Sequence, residues 1–291
     1  MFIDIHAHAY KRPWPGPDGK NAFPSPAQLL KRYDELDIEQ GIVLPILGPE
    51  LYLPQSNEEV LEIKKDSGGR LEAFCNIDPR AIYNSPAGKL DYILEYYKNL
   101  GCLGLGEVMP YMHFNDPLLH NLFCSAEKVG LPVIIDATCG RGAGCYGLYD
   151  EPGLPGLEEC LQIFPALTII GHGPGFWAEL GQIQSPKDRC SYPSYPVREE
   201  GSVPRLMRRY PNLYAEFSAG SGCNALARDL KYASRFIEEF QDRLFFGTDI
   251  CKPDQSVMQA QLLINLVEDG EISRAAFKKV ARENAVKLFQ L

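Results

Sequence analysis

Two histidines, His6 and His8, stand two residues apart in Ile3-Asp4-Ile5-His6-Ala7-His8, a stretch that reads as a β-strand. Side chains alternate along a strand, so both imidazoles point the same way, roughly 6 to 7 Å apart along the backbone. That geometry can grip one metal ion. Further ionisable residues fall where other apolar, β-rich runs end: Glu107 on strand four, Asp136 on strand five, His172 after strand six and Asp249 on strand eight. Imidazole nitrogen and carboxylate oxygen suit Zn²⁺, Mn²⁺ or Fe²⁺, and an all-carboxylate calcium cage is absent. A catalytic metal with an open position lowers the pKa of water toward neutrality, making hydroxide available at pH 7.

These residues need elements that bring them together. Strands are predicted at 2–6, 41–46, 72–77, 103–108, 132–136, 167–171, 213–218 and 244–249. Helical patterns lie between them near 26–38, 57–67, 87–99, 117–129, 156–164, 201–210 and 224–240, with a C-terminal helical region from about 254 to 289. Ser25-Pro26 and Asp116-Pro117 read as N-cap followed by an N1 proline, and Gly130-Leu131-Pro132 closes a helix before the next strand. Eight βα units imply parallel strands with right-handed crossovers, and favour a single-domain α/β (β/α)₈ TIM barrel over residues 1–291. A doubly wound open sheet is the weaker alternative, and no phosphate-type glycine-rich loop follows the first strand. In a barrel the strand C-termini share one mouth, so the six ionisable residues form one ring. The irregular stretches 9–25 and 173–200 directly follow strands and become loops of that active face.

Composition narrows the partners. The 291 residues are 45% hydrophobic, enough for a substantial core, and carry a net charge of −9 without a long basic run. Neutralising a polyanion needs clustered Lys and Arg, so nucleic acid is disfavoured and a small-molecule substrate expected. No long apolar span indicates a membrane. Nine cysteines without CxxC pairs, together with the absence of a secretory segment, lead us to expect reduced thiols and a cytoplasmic protein.

Beyond the ring, four further segments carry a pattern: Ile169-Ile170-Gly171-His172-Gly173, Leu213-Tyr214-Ala215-Glu216-Phe217-Ser218, Phe245-Phe246-Gly247-Thr248-Asp249, and the closing run Lys279 to Phe289. With the His6-Ala7-His8 strand, they make the whole chain resemble the amidohydrolase superfamily, in its amidohydrolase-related branch of metal-dependent hydrolases, lactonases and decarboxylases. The resemblance implies a metal held by His6, His8 and Asp249, with Asp249 as proton acceptor and later donor. His172 matches a strand-six histidine that binds a second metal or orients substrate. Glu107 is similar to the glutamate some relatives carry on strand four, where it bridges two ions or completes a mononuclear site. Strand five departs from the pattern: Asp136 stands where relatives have a metal-binding histidine, and as a ligand it would soften any Lewis acid. Zinc is the foremost ion, with one or two bound, and a homodimer is the assembly the resemblance allows.

His120, within Pro117-Leu118-Leu119-His120, is read as a packing or solvent residue, whereas His113 is a candidate substrate contact. Tyr10, Lys11, Arg12, Trp14, Arg80, Tyr111 and Arg141 fall in mouth loops, where a guanidinium could hold a substrate carboxylate and aromatic rings exclude water. Hydrolysis of an ester, lactone or amide by metal-activated water is the first reading, with Asp249 and His172 catalytic. A non-oxidative decarboxylase is the alternative, and a non-catalytic metal-binding barrel a third.

Overall fold

The computed structural model describes residues 1–16, 18–51, 55–138 and 146–291. Among the described residues nine strands follow in order: β1 Phe2–Ala7, β2 Ile38–Val43, β3 Leu71–Ala73, β4 Leu105–Val108, β5 Val133–Thr138, β6 Leu148–Tyr149, β7 Ile169–His172, β8 Leu213–Glu216 and β9 Leu244–Phe245. All of the pairings between them are parallel. One sheet runs β1-β2-β3 and the other β4-β5-β7-β8-β9, with the short β6 hanging off β5. The two sheets meet along both seams through isolated parallel bridges, Cys75 with Leu105 and Ala7 with Ile250. Eight strands therefore form the expected α/β barrel ring, and single bridges, not continuous ladders, join the two sheets.

Local chemistry explains the helices that separate the strands. Helix Pro26–Glu35 starts at Ser25 in a capping box with Gln28 and a proline in its first turn. Helix Pro117–Val129 is capped by Asp116 and stopped by Gly130 at φ 72°. The predicted single helix over 224–240 is two helices, Ala219–Ala227 and Leu230–Phe240, because Asp229 turns its carboxylate onto the Tyr232 amide and caps the second. Within the 173–200 stretch, short helical turns form at Pro174–Trp177, Ala178–Leu180 and Pro186–Cys190. Among the described residues, no helix is long and apolar enough to cross a membrane.

Inside the barrel the inward positions change character from bottom to top. Ile3, Ile5, Ile42, Phe74, Ile134, Ile170 and Phe245 make an apolar layer, closed below by Ala285 and Phe289 of the last helix. Two residues further along β5 and β7 the same face presents Asp136 and His172, and beyond Tyr214 on β8 it presents Glu216. On β1 simple alternation would turn His6 away from the side of Ile3 and Ile5. Between Asp4 and Ala7 the ladder to β2 slips by one residue, and Asp4 Oδ1 accepts the His6 amide at 3.0 Å. This bulge re-aims both imidazoles into the barrel. The β4 ladder slips in the same way between Leu105 and Val108, at Glu107.

Asp4, fully buried, also accepts bonds from Tyr33 Oη at 2.8 Å, the Thr248 amide at 2.9 Å and Thr248 Oγ1 at 2.6 Å. It thereby locks β1 to the residue before Asp249. Gly41 leaves space for the Tyr33 ring, and a Cβ there would land well inside contact distance of Tyr33 Oη. Gly41→Ala is expected to lower stability by about 1–3 kcal/mol, as overpacked cores do, read as a lower urea midpoint with unchanged slope. An unaltered midpoint would show that Tyr33 does not depend on this space.

The cysteines need a correction. Cys75, Cys102, Cys124, Cys160, Cys223 and Cys251 are free thiols, and most are buried, but Cys190 is disulfide-bonded. The 173–200 stretch is more tightly packed than its composition suggests: Arg189, 1% exposed, donates to the Asp150 carbonyl and pairs with Glu179 at 3.0 Å. Disulfides depend on such spatial placement and not on sequence spacing. Cys139 and Cys145 lie outside the described residues.

Candidate active site

His6, His8, Glu107, Asp136, His172 and Glu216 are all at most 5% exposed, at the C-terminal ends of their strands. His6 Nδ1 lies 2.9 Å from Glu216 Oε1, and His172 Nδ1 lies 2.6 Å from the same oxygen. His8 Nδ1 faces the Leu44 carbonyl at 2.9 Å. Each ring nitrogen facing an acceptor carries the proton, so the Nε2 lone pairs of all three rings turn inward. The Nε2 atoms of His6 and His8 are 3.2 Å apart. With both protons engaged at Nδ1, two acceptors face each other, an arrangement that a cation between them relieves. Two nitrogens on one tetrahedral zinc stand about 3.3 Å apart, so the donor set fits such an ion.

Carboxylates complete the group. Asp249 Oδ1 is 3.3 Å from His8 Nε2 and 3.8 Å from His6 Nε2; Glu107 Oε2 is 3.6 Å from His8 Nε2 and 3.5 Å from His6 Nε2. The other oxygen of Glu107 lies 3.7 Å from His172 Nε2, so this side chain faces both sides. Two sets of ligand atoms result, His6-His8-Asp249 and His6-Glu107-His172. The side chain of Asp249 is 22% exposed and is the most open of the donors, facing the mouth. Its backbone sits at φ 51°, and its amide donates to the His6 carbonyl at 2.7 Å across the seam.

The electrostatics follow from this crowding. Burial works against charge on His6 and His8, but Glu107 and Glu216 around His6, and Asp249 and Glu107 around His8, outweigh it and hold both imidazoles above their ordinary value. For His172 burial likewise opposes the charge, and Glu216 pushes the ring up to about 9. Glu107 and Glu216, despite burial, are held well below the usual carboxylate range, Glu107 chiefly by His6 and Glu216 chiefly by His172. The cage demands positive charge at the Nε2 atoms, and a divalent cation satisfies that demand in place of protons.

Asp136 lies outside both sets, although its Cα pairs in register with His172 on the next strand. Its Oδ1 is buried without a hydrogen-bond partner, and burial and the Glu107 charge push its carboxyl up to about 8. Gly173 and Gly147 pack against it so closely that a Cβ on Gly173 would collide with Oδ1. Glu216 and Asp4, two buried carboxylates bonded to His6, were not assigned by sequence reasoning. For Glu216 the signal was present, an acid two residues beyond Tyr214 on an apolar strand.

Several mouth candidates are committed elsewhere. Arg80 is held by Glu50 through both Nη atoms, at 2.8 and 3.0 Å, and by Asp78. Lys11 pairs with Glu62 and Asp66 at 3.0 and 2.9 Å. His113 bonds Glu151 at 2.8 Å beside Asp150, apart from the ring, and His120 packs edge-on against Phe164. Arg12 is exposed, and Arg141 lies outside the described residues.

The amidohydrolase family model matches residues 3–291, and the chain belongs to that family of metal-dependent hydrolases and related enzymes. An amidohydrolase from Burkholderia multivorans with bound zinc has a similar structure, over 100% of this chain and 99% of its own, at 13% identity and a TM-score of 0.64. A probable 2-pyrone-4,6-dicarboxylic acid hydrolase from Acinetobacter baumannii, with citric acid bound, aligns over 100% and 99% at 12% identity and 0.59. A 2,6-dihydroxybenzoate decarboxylase from Rhizobium aligns over 99% and 98% at 16% identity and 0.56. At these identities the likeness is one of fold. No curated protein sequence matches the chain.

Proposed function

We propose that this enzyme is a hydrolase cleaving an ester, lactone or amide-type bond of a small substrate, with His6, His8, Glu107 and Asp249 holding a divalent cation, zinc foremost. The observation that carries this reading is the pair of inward Nε2 lone pairs 3.2 Å apart, with the partly open carboxylate of Asp249 beside them. Bound there, the cation would polarise the scissile carbonyl and lower the pKa of water. Asp249 takes a proton from the attacking water at its carboxylate and returns it to the leaving group. His172, fixed by Glu216 and by Ser218 Oγ at 3.0 Å, orients the substrate oxygen through Nε2; with Glu107 Oε1 it also offers a place for a second ion. Asp136 lines the same face without ligating the first ion.

Chelation is expected to abolish turnover and added Zn²⁺ or Mn²⁺ to restore it, with at least one ion per chain by elemental analysis. Full activity in protein stripped of metal would overturn the proposal. The Rhizobium relative keeps a decarboxylase in view, in which Asp249 would deliver its proton to carbon. Turnover in ¹⁸O-labelled water separates the two: hydrolysis leaves one label in the new carboxyl group, whereas CO₂ release with no label in the organic product assigns the lyase.

A further inference from the structure

The mouth is asymmetric. Above the ends of β1, β2 and β4, Tyr10, Phe23, Ile46 and Met109, buried to between 4% and 8% exposure like His8 and Glu107 beside them, form an apolar cluster separate from the main core, with Leu51 and Cys251 packed on it. It touches the ligand group directly. Phe23 meets the His8 ring edge-on at 6.0 Å, Met109 follows Glu107 by two residues, and Ile46 follows by two the Leu44 carbonyl that holds His8. Opposite, two half-exposed phenols stand at the rim. Tyr192 lies over Gly220, where a Cβ would come within 2.7 Å of its ring, and Tyr146 precedes Gly147, which backs Asp136. Burial first, then the charges of Asp136 and Asp249, raise both phenols above their ordinary value, in keeping with rings that overlook the same carboxylates.

Charge at the mouth runs against an anionic substrate. With one divalent ion bound, the three carboxylates of Glu107, Asp249 and Glu216 leave the ligand group net negative. Arg80 and Lys11, two of the cations the loops offer, are each held by two carboxylates. Lys20 and Lys252 line an open cavity of about 660 Å³ together with Asp18 and Asp254, and none of the candidate ligands lines it. A guanidinium already bonded to Glu50 and Asp78 would have to break those bonds to receive a substrate carboxylate.

We infer that the substrate is uncharged around its reacting bond and lays an apolar, aryl or alkyl face on the Tyr10, Phe23, Ile46 and Met109 wall. The inference deepens the hydrolase reading and rests on it for the reaction, though not for binding. It separates this site from one built for a dicarboxylate or a hydroxybenzoate.

The test uses metal-loaded enzyme and matched pairs, dihydrocoumarin against a ring-carboxylated dihydrocoumarin and phenyl acetate against 4-acetoxybenzoate. The neutral member of each pair is expected to show kcat/KM higher by on the order of tenfold, with the gap narrowing as salt is raised. A carboxylated member turned over equally well or better overturns the inference. Binding of the same pairs is measured alongside. If neither member is hydrolysed, a lower Kd for the neutral one sustains the inference while the hydrolase reading falls, and a lower Kd for the carboxylated one removes it.

Discussion

Replacing Asp249 with Asn is expected to lower kcat by roughly 10³-fold, within the usual range for loss of a general acid-base group, with little change in melting temperature. The carboxylate stands 3.3 Å from His8 Nε2 and is the donor most open to the mouth, so it can both ligate and carry a proton. Asn keeps the shape and one oxygen but cannot accept a proton from water. Metal content, measured on the same sample, separates the two losses. Retained metal with lost turnover assigns the proton role, and lost metal assigns the ligand role. Undiminished turnover would remove Asp249 from the chemistry.

The second large effect is expected at Glu216, which touches no substrate. One of its oxygens faces the Nδ1 atoms of both His6 and His172, while Ser218 Oγ and the Ser218 amide hold the carboxylate at 2.8 and 2.6 Å. In Glu216→Gln one amide oxygen remains, but the charge that fixes the Nδ1 tautomer is gone. Metal affinity is expected to fall about 10- to 100-fold, the range typical for partners that orient ligating histidines. At saturating metal kcat should largely recover, which would not follow from a general loss of structure. Equal metal affinity in the two proteins would show that Glu216 does not set the tautomers.

The strand pattern was legible because buried parallel strands read as short apolar runs, and each of the eight predicted runs overlaps a strand, with 41–46 set three residues late against Ile38–Val43. Their ends were harder to read. The last run shrinks to Leu244–Phe245 because Phe246, Thr248 and Asp249 leave the ladder to bond β1 and Asp4. The histidine pair was legible as a pair, although alternation explains its direction only once the bulge after Asp4 is included. Register slips leave no mark in apolar periodicity. Glu216 went unassigned because its strand was read for family pattern and not for the direction of each side chain. Arg80 illustrates the opposite error: a cation in a mouth loop looks available until its carboxylate partners, 30 and 2 residues away, are located.

The left-handed backbone at Asp249 narrows the choice of residue there independently of chemistry. Short polar side chains tolerate that conformation through local hydrogen bonds, and longer ones do so less readily. Glutamate would preserve charge and proton capacity yet sit poorly on the main chain, while asparagine would sit well and lose both. The position thus answers to two selections at once, one from the reaction and one from the turn that carries it, and aspartate is the residue common to them.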